Sequence, residues 1–196
     1  MRTIILASQS NARKTLFASL GIPFKTVPAH INEKTIRDTN LLKRAQNIAN
    51  AKAEKIATLY PDAIIIACDT FSECKGKAFE KPKTESEARE MLQFLSGKEA
   101  VNYTAFRYID GEKGIDFSKT VKVAYKFRIL YESEINSYVK KFPVTEWAAA
   151  FALVLPYTTT LMSYVNGSYT GLSYGLPTEL LIPLLKKSGF EPHPQK

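Results

Sequence analysis

Cysteine is nearly absent. Cys68 and Cys74 are the only two in 196 residues, which excludes a disulfide framework and a cysteine-built metal centre. Histidine is equally scarce, and His30 and His193 stand too far apart to form a zinc pattern. No apolar run approaches the ~20 residues that a membrane-crossing helix needs. Arg2 alone precedes the brief run Thr3-Ile4-Ile5-Leu6, which argues against a secretory signal and makes the cytoplasm the expected compartment. There is no internal repeat and no low-complexity linker. Gly111, Gly114, Gly167 and Gly171 form no nucleotide fingerprint.

What is present is an ordinary globular composition, 45% hydrophobic and 23% charged. The length suits one fairly large domain over residues 1–196, or two small, tightly packed lobes. The net charge of +8 permits nucleic acid, an anionic surface or a phosphorylated small molecule as partner. Positive residues occur as scattered doublets, such as Arg13-Lys14, Lys43-Arg44 and Lys140-Lys141. That scatter argues against a nucleic-acid reader, which gathers its charge on one face. Most of these lysines read as solvated helix faces.

Strands and helices alternate along the chain. Residues 3–7 read as a buried strand, followed by the polar turn Ser8-Gln9-Ser10-Asn11 and a helix over 12–20 closed by Gly21. A short strand over 24–27 and a polar loop over 30–40 lead to a long helix over 41–59. Residues 63–67 read as a second buried strand, and 71–79 as a hairpin around Lys75-Gly76-Lys77. Thr84-Glu85-Ser86-Glu87 is a capping box, so a helix is expected from there to Leu95. Two longer strands over 101–109 and 120–129 precede a helix over 132–140. Residues 146–165 are apolar without a clean period, and a last helix follows Pro177. The class is α/β.

Three features could carry chemistry. Ser8 and Ser10 lie between a buried strand and a helix start that carries Arg13. Hydroxyls, first-turn N–H groups and a guanidinium together suit phosphate, although an N-capped helix after a strand needs no ligand. Asp69 stands at what reads as the carboxyl end of the strand over 63–67, where α/β sheets bind ligands. A carboxylate there can hold a hydrated Mg²⁺ or take a proton from water; an Asx turn ending a strand is the plainer explanation. Lys81, fixed by Pro82, follows the hairpin that could fold it back toward Asp69, and Lys52 on the long helix is the weakest signal. Cys68 points away from Asp69, into the core.

These pieces resemble the Maf family over nearly the whole chain. The resemblance is carried by Leu6-Ala7-Ser8-Gln9-Ser10-Asn11-Ala12-Arg13-Lys14, Asn32-Glu33, Ala51-Lys52-Ala53, Ala67-Cys68-Asp69-Thr70 and Glu80-Lys81-Pro82. The segments Glu87-Ala88-Arg89-Glu90-Met91-Leu92, Leu95-Ser96-Gly97, Glu134-Ile135-Asn136-Ser137-Tyr138-Val139 and Gly175-Leu176-Pro177 follow in the family's order. The resemblance implies a mixed β-sheet with flanking helices, an inosine-triphosphatase-like fold of two lobes around a central cleft, and a homodimer. It implies hydrolysis of a nucleoside triphosphate, non-standard or modified ones included, to the monophosphate and pyrophosphate, with Mg²⁺ or Mn²⁺. It also ties the chain to arrest of septum formation in cell division. By matching positions Asp69 is the catalytic proton acceptor. Ser8, Ser10, Arg13, Glu33, Lys52 and Lys81 bind substrate, Asp69 and Glu33 hold the metal, and Ala12, Thr70 and Val154 set base specificity.

The chain also departs from the family pattern. Asn11-Ala12-Arg13 replaces Pro-Arg-Arg, and Ala148-Ala149-Ala150-Phe151-Ala152-Leu153-Val154-Leu155 replaces a run that normally carries glycines and a substrate-contacting glutamine. Thr70 matches the pyrimidine-preferring branch. The rival reading is therefore a nucleotide-binding or division-regulating protein with little turnover.

Overall fold

The computed structural model describes residues 2–194. Among them seven strands form one sheet in the order β2-β1-β3-β5-β6-β7, with β4 paired to β3 off that path. The strands are β1 (Ile4–Leu6), β2 (Lys25–Thr26), β3 (Ile64–Cys74), β4 (Lys77–Phe79), β5 (Glu99–Asp110), β6 (Ile115–Phe127) and β7 (Met162–Gly167). The sheet is mixed: β1 is parallel to both β2 and β3, whereas β3–β4 and β6–β7 are antiparallel. The helices are α1 (Asn11–Ala18), α2 (Leu41–Leu59), α3 (Glu85–Leu95), α4 (Glu132–Lys141), α5 (Pro156–Thr159), α6 (Tyr169–Tyr174) and α7 (Thr178–Lys187). Among the described residues no helix is long and apolar enough to cross a membrane.

The chain divides into two compact units. One comprises Met1–Asp69, Thr104–Val121 and Tyr174–Lys196. Its first and third strands sort their side chains by the two-residue period of a strand. Ile4, Leu6, Ile64, Ile66 and Cys68 pack with Phe17 of α1 and with Leu181, Leu184 and Leu185 of α7. Ile5, Ala7, Ile65 and Ala67 face the other way, onto Ala53 and Ile56 of α2. Helix α1 and helix α2 therefore cover opposite faces of β1 and β3. That arrangement is the strand-order reversal at which open α/β sheets place their ligands.

A buried polar knot closes this unit. The Arg2 guanidinium donates to Asp110 Oδ1 at 2.6 Å, Ser188 Oγ donates to Asp110 Oδ2 at 2.6 Å, and Tyr108 OH donates to Ser188 Oγ at 2.7 Å. Burial pushes the Asp110 carboxyl up, but hydrogen bonds from Ser188, the Lys113 N–H and Arg2 outweigh it and hold the pKa below the ordinary value. A lowered carboxyl pKa stabilises the fold fully above the ordinary 3.8, and that contribution is lost as acid protonates Asp110. Replacing Asp110 with Ala removes the acceptor of the Ser188 hydroxyl and the carboxylate that pairs with Arg2. The expected cost is about 2–3 kcal/mol, a fall of roughly 5–10 °C in the thermal midpoint at neutral pH. An unchanged midpoint for Asp110→Ala in calorimetry would show that the knot contributes nothing.

The other unit comprises Thr70–Tyr103 and Lys122–Ser173. Val123, Tyr125 and Phe127 of β6 alternate inward onto Ala88, Met91, Leu92 and Leu95 of α3 and onto Ile135, Tyr138 and Val139 of α4. Half of the expected capping box is present: Glu87 N–H donates to Thr84 Oγ1 at 3.2 Å, whereas the Glu87 carboxylate accepts from the Lys83 N–H at 2.7 Å. Two expectations need correction here. Strand β6 ends at Phe127, not at 129, because Arg128 turns out of the ladder and bonds the Leu161 carbonyl, leaving Ile129 72% exposed. The aperiodic stretch 146–165, for which the sequence predicts no element, holds the end of one 3₁₀ turn, a second over Ala148–Ala150, α5 and most of β7.

Candidate active site

Parallel pairing delivers three segments to one edge of the first unit. Ile66 pairs with Leu6, and Leu6 with Thr26, so Ser8, the segment leading to Glu33 and the stretch of β3 that holds Asp69 all lie beyond the paired residues in the same direction. The sequence places the end of this strand before Asp69. Instead β3 runs on to Cys74, and Asp69 lies within it. The ladder continues because Phe71, Ser72 and Cys74 remain buried and Cys74 pairs with Lys77 through a two-residue turn. Lys75 (φ 54) and Gly76 (φ 78) both take the left-handed conformation that such a tight hairpin requires.

Alternation along β3 settles where Asp69 points. Cys68 is fully buried on the α1 side, and Asp69 therefore shares the α2 face with Ile65 and Ala67. Lys52 meets it there. On α2 the buried residues Ala45, Ile48, Ala49, Ala53 and Ile56 form one stripe, and Lys52 is four residues from both Ile48 and Ile56, on that stripe. Lys52 Nζ donates to Asp69 Oδ1 at 2.8 Å and lies 2.9 Å from Glu33 Oε1. The side chains of Lys52 and Asp69 are each only 13% exposed, and Glu33 is 48% exposed. Glu33 opens a 3₁₀ turn over Glu33–Thr35 within the polar loop.

On the opposite face Ser8, Ser10 and Arg13 form a second cluster. Ser10 caps α1 by accepting from Arg13 N–H at 3.4 Å. Ser8 Oγ accepts from Ser10 N–H and from Arg13 Nη1, each at 3.2 Å. Arg13 Nε donates to the Gly175 carbonyl at 2.9 Å, so the guanidinium is held at both ends. Gly175 sits at φ 65, where a side chain would be strained. Its carbonyl's role has no signal in the sequence, which shows only the dipeptide Gly-Leu before Pro177. Ala12 is the second residue of α1, half-buried beside this cluster.

Cys68 senses both clusters. Burial pushes its thiol up to about 11, with the charges of Arg13 and Lys52 pulling against that and Asp69 adding to it. The thiol therefore stays protonated at neutral pH and serves as core, while Arg13, Lys52 and Asp69 share one electrostatic neighbourhood around it.

The remaining expected residues lie in the other unit. Thr70 is half-buried directly after Asp69. Lys81 is exposed and lines a concavity of about 320 Å³ with Lys77, Glu80, Lys83, Glu87 and Met91. Val154 is half-buried just before α5. Upstream of it, Ala149 (φ 56, ψ 22) and Ala150 (φ 64) both take the left-handed conformation. Each costs about 1–2 kcal/mol for a residue with a Cβ, and both are fully buried, which holds them there. Ala149, which stands where the family pattern has glycine, thus takes a conformation that glycine adopts freely. Ala149 N–H donates to the Glu80 carbonyl at 3.1 Å, tying this turn to Glu80-Lys81-Pro82.

Among the described residues no three His, Cys, Asp or Glu side chains gather to enclose a metal ion. Glu33 and Asp69 instead converge on one ammonium. Two carboxylates without a closed cage fit Mg²⁺ or Mn²⁺, which completes its shell with water and phosphate.

Comparison with known proteins bears on what such a site does. The family model described as Maf-like protein matches residues 3–188. The dTTP/UTP pyrophosphatase of Syntrophus aciditrophicus is 35% identical, the alignment covering 95% of this chain and 90% of that protein. The dTTP/UTP pyrophosphatase of Pyrococcus furiosus is 33% identical over 95% of each. A solved HAM1 protein from Coxiella burnetii is similar with a TM-score of 0.48 and 15% identity, covering 95% of this chain and 100% of that one.

Proposed function

The chain belongs to the Maf family, and from that premise we propose that it hydrolyses dTTP and UTP to the nucleoside monophosphate and pyrophosphate. The general activity is that of a nucleoside-triphosphate pyrophosphatase, a hydrolase acting on acid anhydrides. The observation that carries the reading at this site is the Lys52 ammonium held between Asp69 and Glu33, on the edge that also presents Arg13, Ser8 and Ser10.

The reaction adds water across the α–β phosphoanhydride: hydroxide goes to one phosphorus and the bridging oxygen leaves with the other. Asp69 accepts the proton given up by the attacking water. Arg13, Lys52 and Lys81 neutralise non-bridging oxygens as charge builds on the leaving pyrophosphate. Ser8, Ser10 and the first-turn N–H groups of α1 orient the phosphate chain. Glu33 and Asp69 would hold Mg²⁺ or Mn²⁺, which supplies Lewis-acid charge to the phosphates when bound.

Support for a pyrimidine comes from relatives bearing the dTTP/UTP name and from Thr70. Ala12 and Val154 offer only hydrocarbon where relatives read the base with polar groups. Sites without buried polar groups discriminate weakly, whereas unpaired polar groups reject a mismatch by up to ~10⁴-fold. The expected result is a kcat/KM preference for UTP and dTTP over purine triphosphates of no more than about a hundred-fold, sharpened by Val154→Gln. A purine preference would overturn the substrate assignment. Discrimination of several thousand-fold by the parent would overturn the account of Ala12 and Val154.

A further inference from the structure

Lys52 stands between the two carboxylates proposed to hold a divalent ion. Its ammonium lies within 3 Å of both carboxylates assigned to the metal, at 2.8 Å from Asp69 and 2.9 Å from Glu33. It reaches them from the buried stripe of α2, four residues from both Ile48 and Ile56. We propose that Lys52 is the resident counter-ion of the Glu33–Asp69 pair in the nucleotide-free protein. It keeps the pair closed to a divalent ion until a triphosphate offers the ammonium a competing anion. The inference rests on the proposed site, and adds an order to it: metal enters with the nucleotide, not ahead of it.

The physical argument is one of charge. Two carboxylates facing one half-buried point repel each other, and a single ammonium relieves that repulsion without dehydrating a hard ion. A divalent ion approaching the same oxygens meets a like charge at contact range, where screening by water is incomplete. Triphosphate changes the balance, because its oxygens accept the three N–H donors of the lysine. Lys52 can then turn to phosphate while Glu33, which is 48% exposed, and Asp69 take the ion. The same residue thereby restrains metal binding and assists turnover, and these two roles have opposite signatures on mutation.

The test is Mn²⁺ titration of nucleotide-free protein, followed by calorimetry or by the paramagnetic resonance of free Mn²⁺. The parent is expected to bind weakly, in the millimolar range. Lys52→Met should bind at least about ten-fold more tightly, Lys52→Arg should stay with the parent, and Asp69→Asn added to Lys52→Met should abolish the gain. Lys52→Gln is the second variant should Met destabilise the fold, and a Lys52 variant whose thermal midpoint rises with Mn²⁺ more than the parent's gives the same support. Micromolar Mn²⁺ binding by the nucleotide-free parent, or no gain in a folded Lys52→Met or Lys52→Gln protein, overturns the proposal. Its failure is separable from that of the hydrolase reading. A parent that releases pyrophosphate while its Lys52 variants gain no Mn²⁺ affinity sinks only the counter-ion role. A gain in affinity with no pyrophosphate release from any triphosphate sinks only the substrate reading.

Discussion

Asp69→Asn is expected to lower pyrophosphate release by about a thousand-fold or more while leaving the fold intact. The amide is the same size as the carboxylate and can still accept from Lys52, so the contact at 2.8 Å survives in neutral form. Ile65 and Ala67 keep their packing on the same face, and Glu33 remains to balance the lysine. What disappears is the basicity that takes the proton of water and the charge that holds a divalent ion. Steady-state kinetics beside a thermal melt decides the matter. Turnover within a few-fold of the parent removes Asp69 from the chemistry, and a collapsed melting transition makes its role structural.

Loss of a single lysine should cost less, but still a great deal. Lys52→Ala and Lys81→Ala are each expected to slow hydrolysis by about ten- to a thousand-fold, the range for removing one charge-stabilising donor. For Lys52 the expectation follows from its half-buried place between two acids. For Lys81 it follows from the motif Glu80-Lys81-Pro82, whose backbone is pinned by the Ala149 N–H. If either lysine is only a solvated surface group, its removal leaves kcat/KM unchanged.

Several of these features are legible in the amino-acid order alone. The start of α2 after Asn40 and the N-cap at Thr84 follow from side chains that bond their own backbone, and such signals are local. Lys52 carries a local signal too, one that is easily undervalued. A lysine at the spacing of Ile48 and Ile56 sits on the apolar stripe of α2 and needs a buried partner. Asp69 reads as a strand end because Cys68-Asp69-Thr70 interrupts an isoleucine run. The hairpin over 71–79 is legible, but its first arm is continuous with the isoleucine run, because β3 also lies beside β5, a strand distant in sequence that the local pattern does not reveal. The turn at Ala149 and Ala150 is illegible, since alanine does not announce a left-handed conformation. It is burial among distant residues that imposes it. The carbonyl of Gly175 holding Arg13 is likewise a contact across 162 positions, which no window of sequence contains.

The left-handed turn at Ala149 bears on the choice between enzyme and silent binding protein. The departures from the family pattern fall near Val154, where Ala149 and Ala150 take the left-handed conformation, whereas Lys52 and Asp69 are hydrogen-bonded to each other and Arg13 to Ser8.

Product analysis with UTP or dTTP and Mg²⁺ tests the central claim most directly. Nucleotides are separated by ion exchange, and pyrophosphate and phosphate are assayed independently. Cleavage of the α–β bond predicts UMP or dTMP and pyrophosphate in equal amounts, with no diphosphate intermediate, and loss of both products in Asp69→Asn. Nucleoside diphosphate with inorganic phosphate, or no product from any triphosphate, would contradict the account.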